Sequence, residues 1–106
     1  MKLGDFSELD TFGVRLRAAR KSAGLTQEAL GVSAGIDEFS ASARMNQYER
    51  GKHWPDFGTA CRIAAALGVD PAYFYARSSS VAELLLAFSR AKPTIQKQIL
   101  TVLTEN

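Results

Sequence analysis

Gly24, Gly35, Gly51 and Gly68 each follow a short run of apolar residues at helical spacing. Glycine tolerates the left-handed conformation in which helices commonly end, so the chain reads as a string of short helices. Strand-like alternation is almost absent. A first helix carries Phe12, Leu16, Ala19 and Ala23 on one face, with Asp10 or Thr11 as its cap. Thr26, ahead of Gln27-Glu28-Ala29-Leu30, reads as the cap of a second. A third starts at Asp37 or Ser40, ends near Arg50 and turns Ala41, Met45 and Tyr48 inward. Pro55-Asp56-Phe57 introduces a fourth, with Phe57, Ala60, Ile63, Ala64 and Leu67 on its inner face. Asp70-Pro71 opens a fifth, which carries Tyr73 and Phe74.

Ser78-Ser79-Ser80 reads as a seam. Beyond it, Val81, Leu84, Leu85 and Phe88 form one apolar stripe, and after Pro93 the residues Ile95, Ile99, Val102 and Leu103 form another. The expected architecture is all-α: an N-terminal tail over 1–10, a five-helix domain over 11–77 and a helical hairpin over 78–106. With 106 residues, 46% of them hydrophobic, one small core can form, and a chain this short gains from a partner copy. No apolar run approaches the length of a membrane span. Met1-Lys2-Leu3-Gly4-Asp5 lacks the apolar stretch of a signal peptide, and the lone Cys61 leaves no intramolecular disulfide and no thiolate metal cluster. A cytoplasmic address follows as an expectation.

Net charge is only +2, but its distribution is uneven. Residues 1–10 have a balance of −2, whereas 11–77 carry nine basic against six acidic groups. The basic residues cluster beside the expected turns, as in a surface that meets nucleic acid.

The segment Gly24-Leu25-Thr26-Gln27-Glu28-Ala29-Leu30, followed by Ala34-Gly35-Ile36 and then Tyr48-Glu49-Arg50-Gly51-Lys52, resembles the Cro/repressor-type helix-turn-helix family of DNA-binding regulators, also called the XRE family. The resemblance covers roughly residues 11–77 and implies binding of double-stranded DNA. In that architecture two helices cross closely so that the second enters the major groove, about 12 Å wide. Gly31 stands where the family usually has Ala, and Gly35 supplies the positive φ of the sharp turn.

Counting back from Tyr48-Glu49-Arg50-Gly51, the family's base-contacting positions fall on Ser42, Ala43, Arg44 and Gln47. A helical wheel with Ala41, Met45 and Tyr48 buried also turns Asn46 and Ser40 outward, with Arg44 on the flank. These residue types suit readout: Arg forks onto guanine, Gln or Asn pairs with adenine, and Ala touches a thymine methyl. The resemblance further implies that Gln27 clamps the DNA backbone and braces the reading helix. It pairs Arg20 with Glu49 in a bridge between the first and third helices, and it places Arg50, Lys52 and His53 where backbone contacts lie. Trp54 is expected to pack in its loop.

One departure stands out. Between Gly35-Ile36 and Tyr48 this chain has about four residues more than the family's usual spacing, close to one helical turn at about 3.6 residues. Either the reading helix starts earlier, with Asp37 as cap and Glu38 in its first turn, or the turn is longer, with Ser40 or Ser42 as cap. Asp37-Glu38 suits a helix start, which favours the longer helix. Phe39, inside the added segment, either touches a thymine methyl or packs in the enlarged turn, and packing is the expectation here.

An enzyme is not expected, because one His, one Cys and no paired carboxylates leave no catalytic set, and no cofactor or metal is implied. Cys61, between Ala60 and Arg62, reads as a small packing residue. The expected function is sequence-specific regulation of transcription, as a repressor, by a homodimer whose modules read half-sites about one helical turn apart. The alternative is an antitoxin or other protein-interaction module that uses the same fold and engages a partner through 81–103. RNA binding is a weaker option, since no aromatic stacking sheet is suggested.

Overall fold

Side chains that cap helix starts set most of the architecture. Thr26 accepts the Ala29 N–H at 3.0 Å, Asp37 accepts that of Phe39 at 3.0 Å, and Asp56 accepts that of Thr59 at 2.7 Å. Each satisfies a backbone donor that the first helical turn leaves without a partner. A computed structural model describes the backbone of residues 8–105 and the side chains of residues 11–105. Among these residues it has seven helices and no strand. They are α1 (Glu8–Ser22), α2 (Gln27–Ser33), α3 (Glu38–Glu49), α4 (Phe57–Leu67), α5 (Ala72–Tyr75), α6 (Ser79–Arg90) and α7 (Pro93–Thr104). None is long and apolar enough to cross a membrane.

The third helix takes the longer of the two forms open to it. It begins at Glu38 behind the Asp37 cap, so the added residues extend the helix and not the turn. The first helix starts earlier than its expected cap, because α1 already runs through Asp10 and Thr11. A cap-type residue does not end a helix when the residues before it are helix-compatible, and the boundary between a tail and the domain therefore falls inside α1. Residues 1–7 lie outside the described residues. The four punctuating glycines all have positive φ, from 69° to 85°.

Phe12, Leu16, Leu30, Met45, Ile63 and Phe74 are the largest fully buried side chains, and they draw α1 to α5 around one core. Burial of each such residue stabilises the fold by about 1.5–3 kcal/mol. The Phe12 ring packs on Phe74 at 5.1 Å and stacks on Trp54 at 6.4 Å, so Trp54 is a loop-packing aromatic. Two expected core positions are not core. Ala23 lies exposed just beyond the end of α1. Phe57 is 68% exposed, because it opens α4 before the helix's inner face begins, and Pro55 takes the buried place instead. Arg62 on α4 donates from Nε to the Ala34 carbonyl at 2.9 Å, which ties α4 to the end of α2.

Beyond Ser78, α6 docks through the buried Ala82 and the partly buried Leu85 and Leu86. The Asp70 N–H donates to Ser89 Oγ at 3.0 Å, and Arg90 Nη2 donates to the Leu67 carbonyl at 3.2 Å. By contrast, α7 has no buried residue, and its stripe is largely exposed, with Ile99 only partly covered. Val81, Leu84, Ile95, Leu100, Val102 and Leu103 are exposed.

The α2–α3 crossing leaves no room for a side chain at Gly31. A Cβ added at Gly31 would stand 2.7 Å from Ala41 Cβ and 3.1 Å from the Ala41 Cα and carbonyl oxygen. Gly31→Ala should therefore lower stability: overpacking costs about 1–3 kcal/mol, against a gain of about 1 kcal/mol in helix propensity. Adding Ala41→Gly should recover the packing part of that loss in a double-mutant cycle. A higher melting temperature for Gly31→Ala alone would contradict this account of the crossing.

Candidate nucleic-acid interface

A helix that must present one face to a partner has to be fixed on its other face. Ala41, Met45 and Tyr48 are buried along α3, while Ser42, Ala43, Arg44 and Gln47 are exposed on the other side. The outer face is thus lined by small and polar residues, with one cation on its flank. Arg44 lies close enough to α4 to act on Asp56. That carboxyl is held below the usual carboxylate range, chiefly by the Thr59 backbone N–H and side chain, with Arg62 and Arg44 contributing.

The end of α3 is anchored at Glu49. Its side chain is only 4% exposed and takes both prongs of the Arg20 guanidinium, Nε to Oε2 at 2.5 Å and Nη2 to Oε1 at 3.0 Å. Bidentate charge-assisted pairing of this kind fixes direction as well as distance. The hydrogen bond from Arg20 to Glu49 is also the main reason the guanidinium is more basic than usual, with burial acting the other way. Arg20 Nη1 reaches the Leu25 carbonyl at 2.9 Å, just before α2.

Gln27, the first residue of α2, joins the same centre. Its Nε2 donates to Glu49 Oε1 at 3.2 Å and to Asn46 Oδ1 at 3.4 Å. Asn46 is consequently half-buried and held by Gln27, not free on the outer stripe with Ala43 and Gln47. The backbone of α1 approaches the same point. A Cβ at Gly13 would collide with the Glu49 carbonyl oxygen, so α1 meets Glu49 through both its backbone and Arg20.

Around this centre lies a depression of about 220 Å³ lined by Arg17, Arg20, Gln27, Asn46, Glu49 and Arg50. Glu49 is engaged by Arg20, which leaves the exposed Arg17 and Arg50 to dominate the rim. Lys52 and His53 follow in an exposed loop. The Gly51 N–H to the Tyr48 carbonyl (3.2 Å) and the Lys52 N–H to the Gln47 carbonyl (2.9 Å) fold that loop back on α3.

Arg17, Gly13 and Arg62 were not singled out in the sequence. Arg17 lies three residues before Arg20 and so shares its helix face, a signal the sequence did carry. A glycine in a helix interior costs about 1 kcal/mol against alanine, and Gly13 could have been flagged as a site of close approach. Nothing in the sequence pointed Arg62 at the Ala34 carbonyl. Phe39 is a correction. It is 90% exposed and does not pack, because the added residues lengthen α3 and leave no enlarged turn to fill.

Residues 11–73 match the family model of the helix-turn-helix domain. Among solved structures, the crystal structure of the transcriptional regulator BswR is similar, with 45% sequence identity and a TM-score of 0.81. That similarity covers 89% of this chain and 93% of the BswR chain. No match was found among curated proteins. The family match spans more than half of the chain and contains α2, the Gly35 turn and α3. The chain belongs to the helix-turn-helix domain family of DNA-binding regulators.

Proposed function

We propose that the protein is a sequence-specific transcriptional regulator, acting in the cytoplasm as a repressor, that places α3 in the major groove of double-stranded DNA. The observation that carries this reading is the division of α3 into a buried side and an exposed stripe, with its end fixed by Glu49. Arg44 and Gln47 supply hydrogen bonds to base edges, and Ser42 and Ala43 let the helix come close to the groove floor. Asn46 acts from the edge of that face through its link to Gln27. Gln27, Arg50, Lys52 and His53 meet the phosphate backbone, which sets register without reading sequence. Their surroundings fit this division, since the rim of the depression is rich in arginine.

The protein acts as a homodimer in this reading. The apolar stripes of α6 and α7 are exposed over Val81, Leu84, Ile95, Leu100, Val102 and Leu103, and a second copy would cover them. Two copies would also read paired half-sites, as helix-turn-helix dimers do. BswR is a transcriptional regulator by title, and its similarity along nearly the whole chain supports the same role here.

Selection on random duplexes at stated salt, followed by variants, tests the reading. Gln47→Ala or Arg44→Ala should relax sequence preference and cost about 1–3 kcal/mol on the preferred site. Lys52→Ala should weaken all sequences alike and reduce the salt slope by about 1. If none of these variants changes binding to any selected duplex, α3 is not the reading helix. For the dimer, sedimentation should show a two-chain mass that falls to one chain in Leu84→Glu/Leu100→Glu. A wild-type protein that sediments as one chain would instead favour a protein partner on 81–103, as in an antitoxin.

A further inference from the structure

Phe39 is the most exposed large hydrophobic residue among the described side chains, at 90%. It is not a frayed end, because its N–H donates to Asp37 Oδ2 at 3.0 Å and it lies in the first turn of α3. At about 100° per residue, Phe39 projects from the side of α3 opposite Ala41, Met45 and Tyr48, roughly in line with Ala43 and about two turns before Gln47. Its near neighbours Ser40, Ser42 and Ala43 are small, so the ring stands clear of the surface.

We infer that Phe39 reads the 5-methyl group of a thymine in the major groove, at the far end of the surface proposed above for α3. The inference rests on that proposed placement of α3. The chemistry of the first turn narrows the choice. Asp37 and Glu38 directly precede Phe39, and their carboxylates disfavour an approach to phosphates. The thymine methyl is the apolar feature that the major groove displays, and phenylalanine is among the side chains suited to it. Phe39 and Gln47 are about 12 Å apart along the helix axis, at about 1.5 Å per residue. With α3 lying along the groove, that distance is three to four base-pair steps of about 3.4 Å.

The test uses the full chain and a duplex recovered by selection. Each thymine is replaced in turn by deoxyuridine, which keeps base pairing and removes only the methyl. For the wild type, one replacement should weaken binding about fourfold, the worth of one buried methyl group. It should lie three to four base pairs from the position whose preference Gln47→Ala relaxes. Phe39→Ala should bind the thymine and deoxyuridine duplexes equally, with an unchanged melting temperature because the ring is exposed. The inference is overturned if no replacement costs the wild type affinity, or if Phe39→Ala retains the loss. If Gln47→Ala also leaves every preference in place, the placement of α3 itself has failed and Phe39 falls with it. A normal Gln47→Ala response with an indifferent Phe39→Ala sinks the Phe39 inference alone.

Discussion

Glu49 is the point at which three helices are fixed to one another. A carboxylate that is 4% exposed must be paired, and here Arg20 of α1 and Gln27 of α2 converge on it. Removing one partner of a well-buried pair typically costs about 3–5 kcal/mol, because the other charge is left without compensation. The partly exposed Arg20 puts this pair toward or below the lower end of that range. Its greater contribution is directional. Arg20 grips Glu49 in two parallel contacts, Gly13 lets the α1 backbone reach the Glu49 carbonyl, and Gln27 links Glu49 to Asn46. Together they fix both the rotation of α3 and its position along its own axis.

The Gly31–Ala41 contact performs the matching task near the other end of α3. Fixed at two places, the helix turns Ser42, Ala43, Arg44 and Gln47 outward as a rigid row. The added residues extend the same row and place Phe39 at its tip. A longer helix offers a longer exposed surface without any change in the anchor. The C-terminal helices follow a different logic, since α6 is partly docked and α7 leaves its apolar stripe open.

Much of this was legible in the sequence because it depends on local chemistry. Thr26, Asp37 and Asp56 are capping residue types at helix starts, and Gly35 marks a turn that needs positive φ. The Arg20–Glu49 pair followed from family resemblance, not from spacing. Less legible were features set by tertiary geometry. Periodicity predicts that an apolar residue lies on a face, but not that the face is covered, and so Phe57 is expected in the core yet lies exposed. The packing expected of Phe39 depends on an enlarged turn, and those residues instead extend α3. The start of α1 was missed because Thr11 is a capping residue type inside a helix. The Gln27–Asn46 contact depends on how α2 and α3 cross, which no one-dimensional pattern contains.

The central claim is that the outer row of α3 reads the major groove. Methylation interference on a selected duplex tests it most directly, because dimethyl sulfate marks guanine N7 in the major groove and adenine N3 in the minor groove. The account predicts that N7 methylation of one or more guanines within each half-site abolishes binding. Adenine N3 methylation at the A·T pairs within the same half-sites should leave binding intact. Interference confined to adenine N3, or absent from both grooves, would contradict it.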